Sequence, residues 1–498
     1  MAQGVTTFSL PGTETTTLPP SNVVNKIVPR GDTLWIGSGN GPATTQDGGR
    51  TWRQFSNLET FDDKGVSAIA VRGSEIWIST TYITKPENVA HQTGHGLHFS
   101  TDGGQHWTFI TQPVDTGKVD TLFYGRNKIP TLDVTVAVDN VTYDIALTQT
   151  KVWIASWAGM LRRSSDHGKT WERVILPPDN LNSISPSDTL RFALSVVDKQ
   201  LGNETLVGNL NHRAFSVFAT DDSTIWVGTA NGINVSRDGG TSWRKFNHQN
   251  QLNPISGNWV LSIAEQRFGS KRILWAATVN AVDSDEKRGV SYSSDGGQSW
   301  GTALLGEWAH NIAVKDSIVY VATDGGLYRS SDFGQSWIRS GSVYDPSTLQ
   351  QFASSIVYAV GVHGDTVWTG GPEGISYTID SPASPFGSTW KVFRTYQTVP
   401  ASGTTYSYPL PFSPTSEVVR IHYSTDGKSL PISIRIFDFA MQPVKTLLRD
   451  APRTGQYEHD EVWNGRDDQN RRVTNGVYFY RIEMSGSEAH WGKIFVLQ

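Results

Sequence analysis

The chain has 498 residues, a formal net charge of −5 and a sequence pI near 6.2. This length exceeds one ordinary domain and predicts a large domain joined to a smaller module. The acidic balance provides no overall field that would favour nucleic acid or an anionic membrane surface. Cysteine is absent, which excludes disulfides and thiolate metal sites.

The first 21 residues are rich in Thr and Pro and predict an extended N-terminal arm. They lack the basic start and the apolar run of a signal peptide, so none is expected in the sequence as given. No run of 18 or more apolar residues occurs, so no membrane-spanning helix is expected either.

From residue 22 to residue 393 one pattern recurs seven times. Each copy has an apolar strand that carries Trp, or once Tyr, followed by a Ser/Thr-x-Asp-x-Gly-x-x-Trp turn. The clear turns are Thr45–Trp52, Ser100–Trp107, Ser164–Trp171, Ser236–Trp243, Ser293–Trp300 and Ser330–Trp337, and an interrupted copy runs from Thr378 to Trp390. A repeat of about 50 residues with four short strands predicts an all-β, seven-bladed β-propeller.

The positions of the 18 Trp residues follow this repeat. Six lie in the upstream strands and seven close the turns, so these 13 are predicted to be core residues. The five outside the pattern are Trp157, Trp259, Trp308, Trp463 and Trp491. The first three fall near predicted loops and are therefore candidates for ligand contact.

The turns resemble the Asp-box (BNR) repeat of sialidases, of sortilin-type receptors and of certain glucan-cleaving propellers. The resemblance implies a structural role for the turn carboxylates, which are Asp47, Asp102, Asp166, Asp238, Asp295, Asp332 and Asp380. Each turn supplies one Asp rather than a cluster of oxygen ligands, so no metal is expected there. No cofactor is expected anywhere in the chain.

After a Pro/Ser/Thr/Tyr-rich linker at 394–409 the pattern changes, and residues 410–498 predict a small β-sandwich. The stretches Ile436–Asp438, Trp463–Asp467 and Asn475–Arg481 resemble an immunoglobulin-like module first known from flagellar hook-capping proteins. Related modules serve as type IX secretion sorting signals. The resemblance implies a secreted or cell-surface bacterial protein, with the secretion machinery as a partner of this module.

The propeller geometry predicts which face binds ligands. The A–B and C–D turns lie on one face, whereas the B–C and D–A connections surround the channel on the other. The long connections at 81–95, 111–141, 176–211, 248–257 and 279–289 belong to the second face, and such loops are usually functional. Two His residues in the first of these, His91 and His95, lack a spacing that would orient them together on a metal.

Candidate ligand-binding residues on that face are Asn40, Tyr82, Trp157, Asn231, Trp259, Trp308, His310, Asp324 and Glu373. Aromatic rings beside amides and carboxylates suit stacking on sugar rings and hydrogen bonding to hydroxyls. The same rim would suit a protein loop. The favoured hypothesis is therefore a recognition or scaffold protein that binds a glycan or an extracellular protein.

Two alternatives stay open. A glycoside hydrolase would need two carboxylates, and Asp324 and Glu373 lie in the B–C turns of adjacent blades. The Arg-Ile-Pro element of sialidases is missing, since the nearest segment is Lys26-Ile27-Val28-Pro29-Arg30, so no sialidase catalytic residue carries over. The second alternative is a structural subunit of an extracellular assembly that self-associates, with the arm at 1–21 contacting a neighbour.

Overall fold

The computed structural model describes residues 5–9, 15–55, 60–61, 64–201, 204–348, 350–352, 354–395, 405–415, 418–425, 428–453, 458–486 and 488–497. The chain forms two compact units, Met1–Ser342 with Ala353–Thr395, and Val343–Phe352 with Tyr396–Gln498. Strands dominate both, and the helical segments in the described ranges are the single turns Pro86–Asn88 and Leu210–His212. None of these described helices is long and apolar enough to cross a membrane.

In the described residues the first unit contains seven antiparallel sheets with strands A to D, and three of these sheets carry a fifth strand at the outer edge. The A strands are Val24–Arg30, Gly65–Arg72, Thr142–Leu147, Ala214–Ala219, Trp259–Phe268, Ala309–Lys315 and Ala359–His363. The B strands are Thr33–Ser38, Glu75–Thr84, Val152–Ser156, Ile225–Thr229, Lys271–Val279, Ile318–Thr323 and Thr366–Gly371. The C strands are Gly41–Thr45, His91–Ser100, Met160–Ser164, Gly232–Ser236, Gly289–Ser293, Gly326–Ser330 and Gly374–Ile379. The D strands are Trp52–Gln54, His106–Thr111, Glu172–Arg173, Trp243–Phe246, Gly301–Ala303, Ile338–Arg339 and Trp390–Phe393.

Each A strand packs against the A strand of the next sheet, and the seventh packs against the first. The sheets therefore form a closed ring around a central channel, and the predicted all-β fold with a seven-bladed propeller is confirmed. The seventh blade has its own D strand, and the described N-terminal strands pair with blades one and two instead.

The repeated Trp and Gly residues explain how adjacent blades fit together. The B-strand indole of Trp153 is fully buried and lies against Gly240 in the Asp turn of the next blade. A Cβ atom at Gly240 would lie 2.5 Å from the Trp153 ring, and Trp275 meets Gly334 at the same distance. Both glycines have φ near +90°. The second turn glycine thus supplies a left-handed conformation and room for the neighbouring indole.

Six of the seven Asp turns share the hydrogen-bond pattern of the fourth blade, except that in blade two His106 Nδ1 replaces the second hydroxyl. The Ser236 hydroxyl accepts a bond from the Gly240 amide (2.8 Å) and donates to Asp238 Oδ1 (2.7 Å). The second carboxylate oxygen of Asp238 accepts a bond from Ser242 Oγ (2.6 Å). These bonds satisfy the backbone of the turn locally, as expected for a short Asx-type turn.

The donors around these carboxylates also set their ionisation. In Asp332 the Ser336 hydroxyl and amide, followed by the Ser330 hydroxyl, lower the pKa to about 2. Burial opposes this shift in Asp47 and Asp295, yet the surrounding hydroxyl and amide donors still bring each pKa to about 2. The turn therefore binds the ionised form of the side chain.

The seventh turn differs. The Asp380 carboxylate accepts bonds from Arg329 Nε and from the Tyr320 hydroxyl, both at 2.5 Å and both on the sixth blade. Gly387 still donates to the Thr378 hydroxyl (3.2 Å). Asp380 therefore joins two blades. Tyr320 is the only B-strand residue of the repeat that replaces Trp, and its hydroxyl makes this bond possible.

The residues predicted as an extended N-terminal arm add strands to the outer edges of two blades. Val5–Ser9 pairs with His106–Thr111 of blade two, and Thr15–Thr16 pairs with Trp52–Gln54 of blade one. Residues 1–4 and 10–14 of the predicted arm lie outside the described residues. The strands cover otherwise open sheet edges, which is a common protection against edge-to-edge aggregation.

The second unit contains two sheets that enclose a core. One has Tyr406–Tyr408, Val419–Ser424 and Glu458–Trp463, and the other has Leu430–Phe437, Pro443–Arg453, Gly476–Met484 and His490–Val496. Trp463 and Tyr480 are buried between them, whereas Trp491 is exposed. The immunoglobulin-like class of this sandwich stays a prediction, and residues 396–404 of the predicted linker lie outside the described residues.

A hairpin that the sequence placed inside the propeller range also belongs to this second unit. Its strands are Tyr344–Asp345 and Gln350–Gln351. Arg420 Nη2, on a strand of the sandwich, donates to Thr348 O at the tip of the hairpin (2.9 Å). No feature of the local sequence distinguishes this segment from an ordinary D–A connection.

Candidate functional site

Strand register defines two faces of the propeller. In each blade the start of strand A lies opposite the end of strand B, as with Val24 and Ser38 or Thr142 and Ser156. We call this end of the ring the channel-mouth face, and the opposite end, which holds the Asp turns, the Asp-turn face. The B–C and D–A connections start from the channel-mouth face.

Parts of the long connections 111–141 and 176–211 pack along the outer edge of the propeller and do not form free loops. Ser183–Ile184 pairs with strand D of blade four as a fifth strand. Tyr124, on a hairpin of the preceding connection, donates its hydroxyl to Thr241 O in the Asp turn of that blade (2.6 Å). Ile129, Leu194 and Trp243 share one buried cluster. The expectation that 111–141 and 176–211 gather as recognition loops is therefore wrong for these parts.

A buried ion cluster fixes the first of these connections to blade three. Asp115 accepts bonds from Arg162 Nη1 (3.1 Å) and from Arg173 Nη2. All three side chains are more than nine-tenths buried. Burial raises the pKa of Asp115, but the two guanidinium groups and the Val134 amide outweigh it, so the pKa is lowered. The charges and the backbone amide together keep the carboxylate ionised.

The predicted insert at 81–95 is an extension of the B–C hairpin of blade two, with pairs from Thr81 opposite Gly94 to Thr84 opposite His91. Tyr82 is exposed, and the Lys64 ammonium lies 5.6 Å from its ring centroid. His91 pairs with Asp139 (3.2 Å), whereas His95 stacks on Phe109. No group of three or more metal-ligating residues occurs in the described part of the chain.

Four aromatic rings meet at the channel mouth over blades three to five. Trp157 contacts Trp259 edge to face with ring centroids 6.3 Å apart, and it contacts Phe215 at 5.8 Å. Phe215 lies 5.5 Å from Trp259 and 5.9 Å from Tyr143. All four side chains are partly exposed. We call these residues the aromatic cluster.

The structure thus brings together two predicted residues, Trp157 and Trp259, with two that the sequence analysis missed. Tyr143 and Phe215 each occupy the extra position of a β-bulge near the start of strand A. A bulge redirects the side chain of the added residue, in this case to the channel mouth. In the sequence, such a bulge residue can be identified as an aromatic residue directly after the first buried residue of strand A.

Two cations flank the aromatic cluster. The Arg213 guanidinium lies 4.9 Å from the Trp157 ring centroid, and its Nε and Nη2 donate to Val196 O (3.3 and 2.7 Å). Lys26, from blade one, donates its Nζ to Tyr143 O (3.2 Å). Among the described residues neither Lys26 nor Arg213 forms a salt bridge within 4.0 Å.

A second group lies over blades six and seven. His310, another bulge residue, bonds through Nε2 to Asp324 Oδ1 (2.7 Å) and contacts the Tyr358 ring at 5.4 Å. Trp308 is partly exposed and, within the described residues, makes none of the ring contacts of the aromatic cluster. Trp308 and His310 therefore stay predictions as ligand contacts.

The two carboxylates considered for hydrolysis both have protein partners. Asp324 pairs with His310, and Glu373 pairs with Arg394 Nη2 and accepts a bond from the Ser354 amide (2.6 Å). The Glu373 side chain is 26% exposed and the Asp324 side chain 48% exposed. The pairing assigns both groups a structural role in addition to any role toward a ligand.

Of the predicted amides, Asn231 is part of an internal network. Its side chain donates to Asp179 Oδ1 (2.9 Å) and accepts from Asn247 Nδ2 (3.0 Å). Lys245 is buried beside it and donates to Asp179 O (2.7 Å), and burial lowers its pKa to about 8. Asn231 therefore organises the loops, while Asn40 lies partly exposed in the first B–C turn.

Concave space also exists on the Asp-turn face. One cavity of about 510 Å³ is lined by Arg30, Thr33, Asp47 and Arg53 among others, between blades one and two. A second of about 300 Å³ lies between blades seven and one and is lined by Asp32, His363 and Trp368 among others. Both of these recesses lie on the face opposite the predicted ligand face.

Comparisons with known proteins support the propeller and add a link to glycan-active enzymes. No protein-family profile matches the chain. A sialidase of Bacteroides fragilis is 29% identical over 202 residues, which cover 36% of this chain and 35% of that protein. The chain therefore matches only about a third of the length of this curated relative.

Two solved structures are similar to this chain. The GH74 enzyme of Niastella koreensis has a TM-score of 0.50 at 12% identity, covering 97% of this chain and 74% of that chain. The protein YCF48 bound to D1 peptide has a TM-score of 0.42 at 19% identity, covering 75% of this chain and 99% of that chain. The similarity to the GH74 enzyme and the closed ring of seven blades together establish that this chain contains a β-propeller.

Proposed function

We propose that this protein is a secreted or cell-surface recognition protein that binds a glycan through the aromatic cluster at its channel mouth. The observation that carries the proposal is the meeting of Trp157, Phe215 and Trp259 from three consecutive blades, with each ring partly exposed. Partly exposed indole rings offer flat apolar surfaces for the C–H faces of sugars. The partial similarity to a sialidase supports a sugar-related ligand.

The aromatic cluster is held rigidly, so a ligand can bind without rearrangement of these side chains. Tyr143 and Phe215 are held by β-bulges within paired strands, and Trp259 is the first residue of a long paired strand. Such a preformed surface loses little conformational entropy when a ligand docks. A protein loop is the alternative ligand for the same surface, because aromatic and arginine side chains also dominate protein interfaces.

A binding role accounts for the carboxylates better than hydrolysis does. A hydrolase needs one carboxyl group to donate a proton and another to attack or activate water. Asp324 and Glu373 instead hold His310 and Arg394. We therefore propose that they stabilise the rim of the channel mouth.

A glycan array probed with the purified full-length chain tests the proposal. We expect binding to a defined set of saccharides, with loss of signal in the double variant Trp157→Ala/Trp259→Ala. The matched control is Trp491→Ala, because Trp491 is an exposed indole outside the propeller. A wild-type chain that binds no saccharide but captures a peptide ligand through the same two indoles would favour the protein-loop alternative.

For the second unit we propose the role that its sequence resemblance implies, namely secretion or attachment through an immunoglobulin-like module at 410–498. We propose that the linker at 394–409 joins this module to the propeller range 22–393. Deletion of residues 410–498 in the native host tests this role. Retention of the truncated chain inside the cell supports it, whereas unchanged export contradicts it.

A further inference from the structure

We propose that the glycan bound at the channel mouth is acidic, and that Arg213 and Lys26 bind its anionic groups. This inference rests on the proposed function and names the ligand class of the same site. It goes beyond that function because aromatic stacking alone makes no distinction between neutral and charged sugars.

Acids and bases around the channel mouth differ in their bonding partners. Each nearby acid has a partner: Asp324 has His310, Glu373 has Arg394, and Asp144 accepts the amides of Val217 (2.9 Å) and Ile145 (3.0 Å). The two cations beside the aromatic cluster form no ion pair within the described residues. Asp144 acts electrostatically on Lys26, and Asp179 and Asp198 act on Arg213, but within the described residues none of these acids accepts a hydrogen bond from either cation. The remaining N–H groups of both cations can therefore bind a ligand anion.

Hydrogen bonds hold both cations in place. Two bonds to Val196 O fix the plane of the Arg213 guanidinium, and the Trp157 ring packs against it. Lys26 occupies the strand position that Ala68 holds in blade two and Asp144 holds in blade three, and its amine donates to Tyr143 O on blade three. Fixed cations bind anions at a lower entropic cost than free surface side chains do.

Arg213 lies in a partly desolvated environment. Burial lowers its pKa, while Asp179 and Asp198 act in the opposite direction without touching it. Asp179 is itself bound by the amides of Leu210 (2.9 Å) and Asn211 (2.8 Å). The Arg213 guanidinium is partly desolvated, and its nearest acids are bound by other groups. A hydrogen bond from this guanidinium to an anionic group of the ligand is therefore strong, because charge-assisted hydrogen bonds strengthen as water is excluded.

The geometry also specifies the spacing of groups in the ligand. A sugar that stacks on the aromatic cluster has Arg213 beside Trp157 on one side and the Lys26 amine beside Tyr143 on the other. A uronic acid residue or a sulfate ester would place its charge next to the stacked ring. Carboxylates and sulfates share the required chemistry, and the assay below distinguishes them.

The experiment is calorimetric titration of the full-length chain with two anionic series, polygalacturonate oligosaccharides and sulfated dextran oligosaccharides. The neutral counterpart of polygalacturonate is the same set of oligosaccharides after reduction of their carboxyl groups to alcohols. We expect binding of at least one anionic series and at least tenfold weaker binding of its neutral counterpart, with affinity falling as salt rises. Unsulfated dextran is the neutral counterpart of the sulfated series.

Arg213→Gln and Lys26→Gln should each weaken anionic binding about tenfold. The matched control is Arg237→Gln, since Arg237 also lies over an indole, that of Trp226 at 5.8 Å, but on the Asp-turn face. Equal binding of charged and neutral oligosaccharides, with no effect of Arg213→Gln, would overturn the inference and leave the proposed function standing. Absence of any saccharide binding, with Trp157→Ala silent, would overturn both.

Discussion

The indole rings of Trp157 and Trp259 meet edge to face, with centroids 6.3 Å apart and planes at 84°, although blade four separates the strands that carry them. Phe215 of blade four fills the space between them and contacts both rings. Three consecutive blades therefore build one continuous surface. This arrangement separates the indoles that hold the fold from the indoles that are available to a ligand.

Replacement of the exposed indoles should affect binding more than stability. For Trp259→Ala we expect a loss of about 2 kcal/mol in binding free energy, as is typical of an aromatic hot spot. The same change at the fully buried Trp153 should cost about 3–5 kcal/mol of folding stability. Urea unfolding and calorimetric titration of both variants provide the check. A Trp259→Ala variant as unstable as Trp153→Ala would place Trp259 in the core instead.

Much of the fold follows from the sequence because the repeat has a strict period. The Trp of strand B and the second glycine of the Asp turn are in contact, so they recur together in the sequence. The residues of the aromatic cluster follow no such period. A bulge inserts one residue at Tyr143 and at Phe215, which breaks the two-residue alternation that strand prediction relies on.

Other differences between sequence and structure have equally local causes. The seventh turn runs from Thr378 to Trp390 instead of closing after eight residues, and its Asp380 binds blade six rather than its own turn. Connections that the sequence marks only as long contain short strands that cover outer edges, such as Ser183–Ile184. Edge pairing of two residues leaves no periodic signal.

Glycines within one Asp turn should differ in their tolerance to substitution. Gly103 and Gly104 both have positive φ, but only Gly104 lies against the Trp35 ring, at 3.0 Å from a would-be Cβ atom. Gly103→Ala should therefore cost only the backbone strain, about 1 kcal/mol, and Gly104→Ala should cost more. Chemical denaturation of the pair measures the difference. Equal losses would show that the contact with Trp35 contributes nothing.

We predict that the chain does not hydrolyse aryl glycosides. We expect no release from a panel of aryl glycosides that includes sialosides, because Asp324 and Glu373 are held by His310 and Arg394. Fluorescent leaving groups give the required sensitivity. Hydrolysis by the wild-type chain that disappears in Asp324→Asn or in Glu373→Gln would show instead that these carboxylates are catalytic.

The buried ion cluster of blade three should be sensitive to the loss of its acid. Asp115→Ala leaves the guanidinium groups of Arg162 and Arg173 buried without their carboxylate, which typically costs about 3–5 kcal/mol. Asp120→Ala, an exposed acid of the same connection, should change stability by less than about 0.5 kcal/mol. Thermal and urea unfolding compare the two. Near-equal stability of both variants would contradict the structural role of the cluster.

The Asp turns should make the propeller sensitive to acid within a defined range. Asp47, Asp295 and Asp332 have pKa values of about 2 in the folded chain, below the ordinary value of 3.8. A carboxyl group whose folded pKa is depressed contributes stability above its unfolded pKa and loses it as pH falls through the folded pKa. Stability should therefore fall progressively from about pH 4 to about pH 2, as the unfolded chain takes up protons more readily than the folded one.

Tryptophan fluorescence during urea unfolding at pH 5, 4, 3 and 2 measures this dependence. The variant Asp332→Asn should be less stable than the wild type at pH 5, and the difference between them should shrink toward pH 2, where the wild-type carboxyl also becomes neutral. Ser223→Ala, an exposed hydroxyl on an A–B turn, should follow the wild-type curve throughout. A constant gap between Asp332→Asn and the wild type at every pH would show that the carboxylate's charge does not stabilise the turn.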